Sequence, residues 1–160
     1  SLRSFKLWDS RGEFLGSAYT WWVLLDFVKQ RPMRLDKCEL MTAFKERVSE
    51  VLPPDVKIPA VTAPSIEETW KVRWQDLDVN DHTNNTVYFS WALDTVPDEV
   101  PEFMEPVFVE GEFLHPVPRT RVRCLTQETE TEKGRAFLHS LRHIDDDTEY
   151  AKLYSRWAMK

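Results

Sequence analysis

Six of the eight residues from Thr86 to Leu93 are apolar, and on a helix they would be spread around it rather than gathered along one stripe. A segment of that kind is expected to be buried on most of its sides, so the rest of the chain must build a wall around it. The stretch is too short for periodicity alone to separate helix from strand. Asn84 or Asn85 can cap a helix start, and Ala92 and Leu93 are good helix formers. Pro97 biases Val96 away from helical geometry and supplies a stop.

The surroundings read as strands. Ile66 to Trp74 comes before, and Val107–Leu114, Thr120–Thr129, Arg135–Ile144 and Glu149–Ala158 come after. Thr131 to Gly134 and Asp145 to Thr148 have the composition of turns. A strand, a short buried helix and four hairpin-linked strands make an α+β domain with an antiparallel sheet. Upstream, residues 4–25 suggest a β-hairpin with its turn at Asp9 to Glu13, where Gly12 is available for positive φ. From Leu35 to Leu52 the period changes. Leu40, Phe44, Val48 and Val51 recur at three or four, Asp36 is placed to start a helix, and Pro53 and Pro54 end it. Pro53 to Pro64 carries four prolines and reads as an extended connector, the clearest boundary in the chain.

Composition narrows the function classes. The 160 residues fit one domain, or one domain and part of another, and 42% apolar content with seven Trp and nine Phe supports a substantial core. No run approaches the roughly 18 apolar residues a membrane span needs, and no signal-peptide pattern opens the chain. Ser1 in place of Met points to a processed, engineered or cut N-terminus. Cys38 and Cys124 have no metal or redox spacing and read as free buried thiols in a reducing compartment. A net charge of −6 argues against nucleic acid as a partner. Arg119, Arg121 and Arg123, two apart, would share one face of a strand and offer a local basic patch to an acidic protein; the plain alternative is a solvated strand face.

The chemistry is concentrated just before the apolar stretch. Asp76, Asp78, Asn80, Asp81, His82, Asn84 and Asn85 fall within ten residues, the composition of a general acid/base site at the mouth of a buried segment. A calcium loop fails, because its sixth position should be Gly but is Asp81, and its twelfth should be Glu but is Val87. Zinc fails for want of a second strong ligand near His82, and His139 and His143 read as ordinary histidines. A purely structural role, Asp and Asn shaping a turn and capping a helix, competes on local chemistry. No metal and no cofactor is expected.

The segment from Arg73 to Pro97 as a whole resembles the signature of fatty acyl-ACP thioesterases of the plant and bacterial type. The matching pattern is Asp-x-Asn-x-His, then Asn-Asn, then Tyr and Trp on a helix, carried here by Asp78, Asn80, His82, Asn84, Asn85, Tyr88 and Trp91. The resemblance implies a hot-dog fold, an antiparallel sheet wrapped around a central helix, in tandem copies. It implies closing strands of an incomplete first domain in residues 1–35, an interdomain helix and linker in 36–65, and a complete second domain in 66–160. The first domain's covering helix would be missing, so Trp21, Trp22, Leu24 and Leu25 call for another partner, such as a second copy of the chain in a homodimer.

The implied reaction is hydrolysis of acyl-ACP to free fatty acid and ACP, ending chain elongation in fatty acid biosynthesis, with Asp78, Asn80 and His82 catalytic and Asn84 and Asn85 in support. An imidazole titrates near neutrality and suits proton transfer; the Asn80 amide can stabilise a developing oxyanion; Asp78 can orient His82, activate water or attack directly. The implied partner is acyl carrier protein with its phosphopantetheine-linked acyl chain, and Arg119, Arg121 and Arg123 are the candidate surface for it. One departure stands out. A family Glu on a later strand falls on Pro116, which cannot move a proton; Glu112 or His115 are the candidates to compensate, with His115 read as incidental. A non-catalytic acyl-chain binding module and an acyl-CoA thioesterase are the competing readings. The expected compartment is a bacterial cytosol, with a plastid enzyme shorn of its transit peptide left open.

Overall fold

The computed structural model describes residues 2–26, 28–29, 31–34 and 57–160. The helix expected over Leu35–Leu52, Cys38 and the first part of the Pro53–Pro64 connector lie outside them. The chain divides into two compact units, Ser1–Asp55 and Val56–Lys160.

In the first unit, β1 (Leu2–Trp8) pairs antiparallel with β2 (Phe14–Trp21). The turn forms where the sequence expects it. The Asp9 carboxylate accepts from the backbone N–H groups of Arg11 and Glu13, both at 2.8 Å, and Gly12 takes a φ of 83°. The expected strand does not run on to Leu25. It stops at Trp21, and Leu25–Asp26 (β3) forms a separate two-residue ladder with Arg31–Pro32 (β4). The Asp26 carboxylate accepts from Val28 and Lys29 N–H and turns the chain there.

The second unit is a five-stranded antiparallel sheet in the order β5-β7-β8-β9-β6, made by β5 (Ile66–Lys71), β6 (Met104–Phe113), β7 (Arg121–Thr129), β8 (Arg135–His143) and β9 (Glu149–Met159). The apolar stretch forms the helix α1 (Asn85–Asp94). Tyr88, Trp91 and Ala92 are buried against Val122, Cys124, Leu141, Ala151 and Leu153 of the sheet. Thr86, Ser90 and Asp94, four apart, are the exposed stripe that remains. A second short helix, α2 (Glu99–Phe103), follows Pro97 and was not expected; its Val100 is fully buried with Val96, Met104, Phe137 and Trp157. An α+β sheet enclosing one short helix is the architecture implied by the resemblance.

Three local features set the frame of the site. β5 ends at Lys71 rather than Trp74, because the Asp76 carboxylate folds back on Arg73, accepting its backbone N–H at 2.7 Å and its guanidinium at 3.0 and 3.1 Å, and bends Trp74–Asp76 into a 3-10 turn. Gln127 of β7 pins the connector by accepting from Thr62 and Ala63 N–H. At the β7–β8 turn, Gly134 has a φ of 79°, and a Cβ there would overlap the carbonyl oxygen of Trp157 on β9.

Candidate active site

The polar cluster is a tight loop closed by a bridge between Leu77 and Thr83. Asp78 N–H donates to the His82 carbonyl at 2.7 Å, and Asp81 crosses to a φ of 58°, a left-handed position that Asp tolerates better than most residues. Asp78 organises the loop from its side chain. Its Oδ1 accepts from the backbone N–H of Asn80 at 2.8 Å and of His82 at 3.2 Å. The Asn80 N–H, first, and then the His82 N–H, the Asn80 side chain and the nearby imidazole, hold this carboxyl below the usual range against the opposing effect of burial. Asp78 is therefore a fixed carboxylate at neutral pH.

The loop leads straight into α1. Thr83 anchors it, with both N–H and hydroxyl donating to the Val117 carbonyl at 2.9 and 3.0 Å. Asn84 caps the helix, accepting from Thr86 N–H at 3.0 Å and from the Thr86 hydroxyl at 2.9 Å. One turn on, the buried Tyr88 hydroxyl accepts from Val117 N–H at 3.0 Å. The short segment after β6 is thus tied to both the loop and the helix.

A groove of about 240 Å³ opens between them, lined by Asp78, His82, Thr83, Asn85, Tyr88, Phe113, Leu114, His115 and Pro116. Asp78, His82 and Asn85 of the expected site share this groove. Asn80 is exposed on the loop and Asn84 acts as the cap; neither lines it. The link between Asp78 and His82 runs through the His82 backbone N–H.

Glu112 does not reach the groove. Phe113 packs on Tyr88 and Phe89 of α1, so strand alternation turns Glu112 to the other face, in register with Lys152. His115, read from sequence as incidental, lines the groove instead, beside Pro116. His115 lies past the end of β6, where Leu114, His115 and Pro116 line the groove in succession, so strand alternation does not reach it.

The arginine trio also divides. β7 begins at Arg121, so Arg119 lies before the strand rather than on it. Arg123 is engaged by Asp147 at 2.8 Å and Glu67 at 3.6 Å. Arg119 and Arg121 line a separate depression of about 570 Å³ with Lys71, Val72, Thr120, Ile144 and Asp145, three cations against one carboxylate. Val72 N–H donates to the Thr120 carbonyl here, a few residues along from the Thr83–Val117 anchor, so one segment, 116–121, borders both concavities. His139 is a buried core residue, and His143 bonds Thr120 at 3.0 Å and Asp146 at 3.2 Å. Among the described residues no group of three or more His, Cys, Asp or Glu could hold a metal ion, and no helix is long and apolar enough to cross a membrane. Cys124 is a free, buried thiol whose pKa burial pushes up to about 11.

Solved structures share this fold. The 12:0-ACP thioesterase from Umbellularia californica superposes with a TM-score of 0.79 at 24% identity, covering 99% of this chain and 61% of its own. A putative oleoyl thioesterase from Lactobacillus plantarum gives 0.84 at 22%, covering 99% and 62%. The second unit is a hot-dog domain. Residues 60–159 match the model of the acyl-ACP thioesterase C-terminal domain, and the chain belongs to that family. It is 32% identical over 161 residues to a chloroplastic palmitoyl-acyl carrier protein thioesterase of Cuphea hookeriana, a match covering 93% of this chain and 38% of that relative. Over 102 residues it is 46% identical to a chloroplastic dodecanoyl-[acyl-carrier-protein] hydrolase of Umbellularia californica, covering 62% of this chain and 26% of that one. The chain thus spans about two fifths of the length of such relatives.

Proposed function

We propose that this chain carries the catalytic half of a thioesterase that hydrolyses acyl-ACP to a free fatty acid and ACP. The observation that carries the proposal is the groove: a carboxylate, an imidazole and a side-chain amide meet at the first turn of a buried helix, beside the apolar rings of Tyr88 and Phe113. In this reading residues 66–160 are the complete second hot-dog domain and 1–35 the closing strands of the first.

A water oxygen attacks the thioester carbonyl carbon, its proton passes to a base, the carbon–sulfur bond breaks, and the thiolate of the carrier arm takes a proton. Asp78 stays ionised, so it serves as base or nucleophile and not as proton donor. His82 takes the proton that the base removed and delivers it to the leaving sulfur, which restores the Asp78 carboxylate, with His115 across the groove standing where Pro116 supplies no acid. The positive end of α1, with the Asn85 amide beside it, faces the developing oxyanion. Asn80 acts by holding Asp78.

The test is acyl-ACP hydrolysis by this chain and by Asp78→Ala, Asn80→Ala and His82→Ala. Asp78→Ala and His82→Ala are each expected to lose roughly a hundredfold or more in kcat with the fold intact, and Asn80→Ala, which keeps the backbone N–H to Asp78, to lose less. Rates in all three equal to that of the unsubstituted chain would sink the reading. Lys71, Arg119 and Arg121 are the surface we assign to the acidic carrier, so Arg119→Ala and Arg121→Ala should raise KM for acyl-ACP and leave acyl-CoA turnover unchanged, while the ion-paired Arg123 matters less. If CoA thioesters are preferred and these substitutions change nothing, an acyl-CoA thioesterase is the better description. The non-catalytic alternative rests on Pro116 and on the incomplete first domain of this reading; it prevails if acyl-ACP binds without hydrolysis and His82→Ala alters neither.

The curated relatives are chloroplastic, which favours a plastid over a bacterial cytosol for this role. The exposed aromatic face of the first unit supports self-association as a homodimer. Sedimentation as a clean monomer at all concentrations would contradict that.

A further inference from the structure

Opposite the groove, the far end of α1 meets a line of buried polar side chains that the hydrolytic chemistry does not use. Trp157 Nε1–H donates to Ser155 Oγ at 3.1 Å; Ser155 Oγ lies 3.0 Å from His139 Nε2; His139 Nδ1 lies 2.9 Å from Thr126 Oγ1; Thr126 Oγ1 lies 2.5 Å from Thr95 Oγ1; and the Thr95 hydroxyl donates to the Ala92 carbonyl of α1 at 2.7 Å. Thr95, Thr126, His139, Ser155 and Trp157 are all buried. Their strands, β9, β8 and β7, are neighbours in the sheet, so the line crosses three strands and ends on the helix.

Counting protons fixes its direction. A longer sixth contact, Thr95 Oγ1 to His139 Nδ1 at 3.3 Å, is the weakest of the set; the five shorter contacts need five donors. If neutral His139 carries its proton on Nδ1, the donors run without a break: Trp157 to Ser155, Ser155 to Nε2, Nδ1 to Thr126, Thr126 to Thr95, Thr95 to Ala92 O. If the proton sits on Nε2, that N–H donates to Ser155 and leaves the serine hydroxyl without an acceptor in the line. The three contacts from Nδ1 to Ala92 O must then share two hydroxyl protons. One close oxygen contact would hold no hydrogen, which a dry interior penalises. The Cys124 thiol, 3.7 Å from Thr126 Oγ1, adds a weak donor compatible with the first arrangement. Burial pushes the His139 pKa down to about 3, so the ring stays neutral around pH 7.

We propose that Trp157, Ser155, His139, Thr126 and Thr95 form a one-way hydrogen-bond relay, with His139 fixed as the Nδ1–H tautomer, that sets the axial position of α1 and makes Thr95 and His139 positioning residues for the groove at the helix's other end. A ten-residue helix spans about 15 Å and moves as a rod. Tyr88 holds its front through Val117 and Thr95 holds its back, so slack at Thr95 is carried to Asn85 and Tyr88. The effect on turnover rests on the thioesterase reading; the tautomer does not.

The first test is the imidazole nitrogen spectrum of the chain labelled with ¹⁵N-histidine. His139 is expected to show a pyrrole-like Nδ1 and a pyridine-like Nε2, unchanged between pH 5 and 8; the reverse assignment, a mixture or an imidazolium overturns the relay. The second is Thr95→Val against Thr95→Ser. The valine variant should lose the single tautomer and drop kcat roughly tenfold with KM within about twofold, and the serine variant should restore both. An unchanged kcat in a folded Thr95→Val overturns the positioning role. A wild type without thioesterase activity but with the expected spectrum sinks the proposed function and leaves the relay standing; if Thr95→Val does not fold, the wild-type spectrum decides.

Discussion

The two units of the chain use the same raw material to opposite effect. The hairpin of β1 and β2 carries Phe5, Trp8, Phe14, Trp21 and, just beyond it, Trp22, and not one described residue of 2–34 is buried. In the second unit Tyr88, Trp91, Phe137 and Trp157 are each at most 5% exposed. Both regions pair their strands antiparallel, each with a local irregularity in register. What separates them is the helix: α1 gives one sheet something to close on, and the described part of the other has no such element. Strand pairing comes from local sequence and turn chemistry, whereas burial depends on a second layer.

That contrast can be attacked by measuring urea unfolding of the second unit. Trp91→Ala should cost about 3–5 kcal/mol, because it empties a site at the centre of the core; a loss below about 1 kcal/mol would mean that α1 does not hold the sheet. The next effect is acid. His139 is depressed to about 3 by burial, so the unfolded chain binds a proton that the folded one refuses. Its contribution is present above about pH 6.5 and is lost as pH falls toward 3, at up to about 1.4 kcal/mol per unit. Among the described residues the partners of that ring are the hydroxyls of Thr95, Thr126 and Ser155. Asp76 adds a loss at the lower end, since burial opposes but the Arg73 hydrogen bonds win and keep its pKa low. A flat stability profile from pH 7 to 4 would refute the assignment for His139.

Asp76→Ala should cost about 1–2 kcal/mol, as the loss of a capping carboxylate does, and should loosen the entry to the loop. Smallest of all, Trp21→Ala should shift the same transition by no more than about 0.5 kcal/mol, its side chain being 66% exposed. A larger shift would show that the hairpin's aromatic face is covered in solution, and the contrast would have to be redrawn.

Much of this was legible in the sequence, for identifiable reasons. The four late strands fell within a few residues of their expected bounds because alternation and turn residues agree there. The helix at Asn85 was readable from its cap and its following proline. Besides the short helix α2, the misses in the backbone are cases where a side chain reorganised it. Asp76 cut β5 short by folding back on Arg73, and Asp26 broke the long strand after Trp21. The groove was half legible: Asp78, His82 and Asn85 line it, while Asn80 turns outward and Glu112 faces the wrong way. His115 was passed over because a histidine just past a strand end carries no local signal; its place is known only once the groove is formed. The relay was invisible, since Thr95, Thr126, His139 and Ser155 are scattered over 61 positions and meet only across the folded sheet.

Gly134 gives the turn between β7 and β8 a meaning that its place on the surface hides. Because no atom beyond the backbone fits there, β8 begins pressed against the main chain of Trp157, the residue whose indole starts the proton order running inward. A methyl group at that outer corner would therefore act as a wedge felt first in the ordering of hydroxyls around an imidazole, and only afterwards in the groove at the opposite end of the helix.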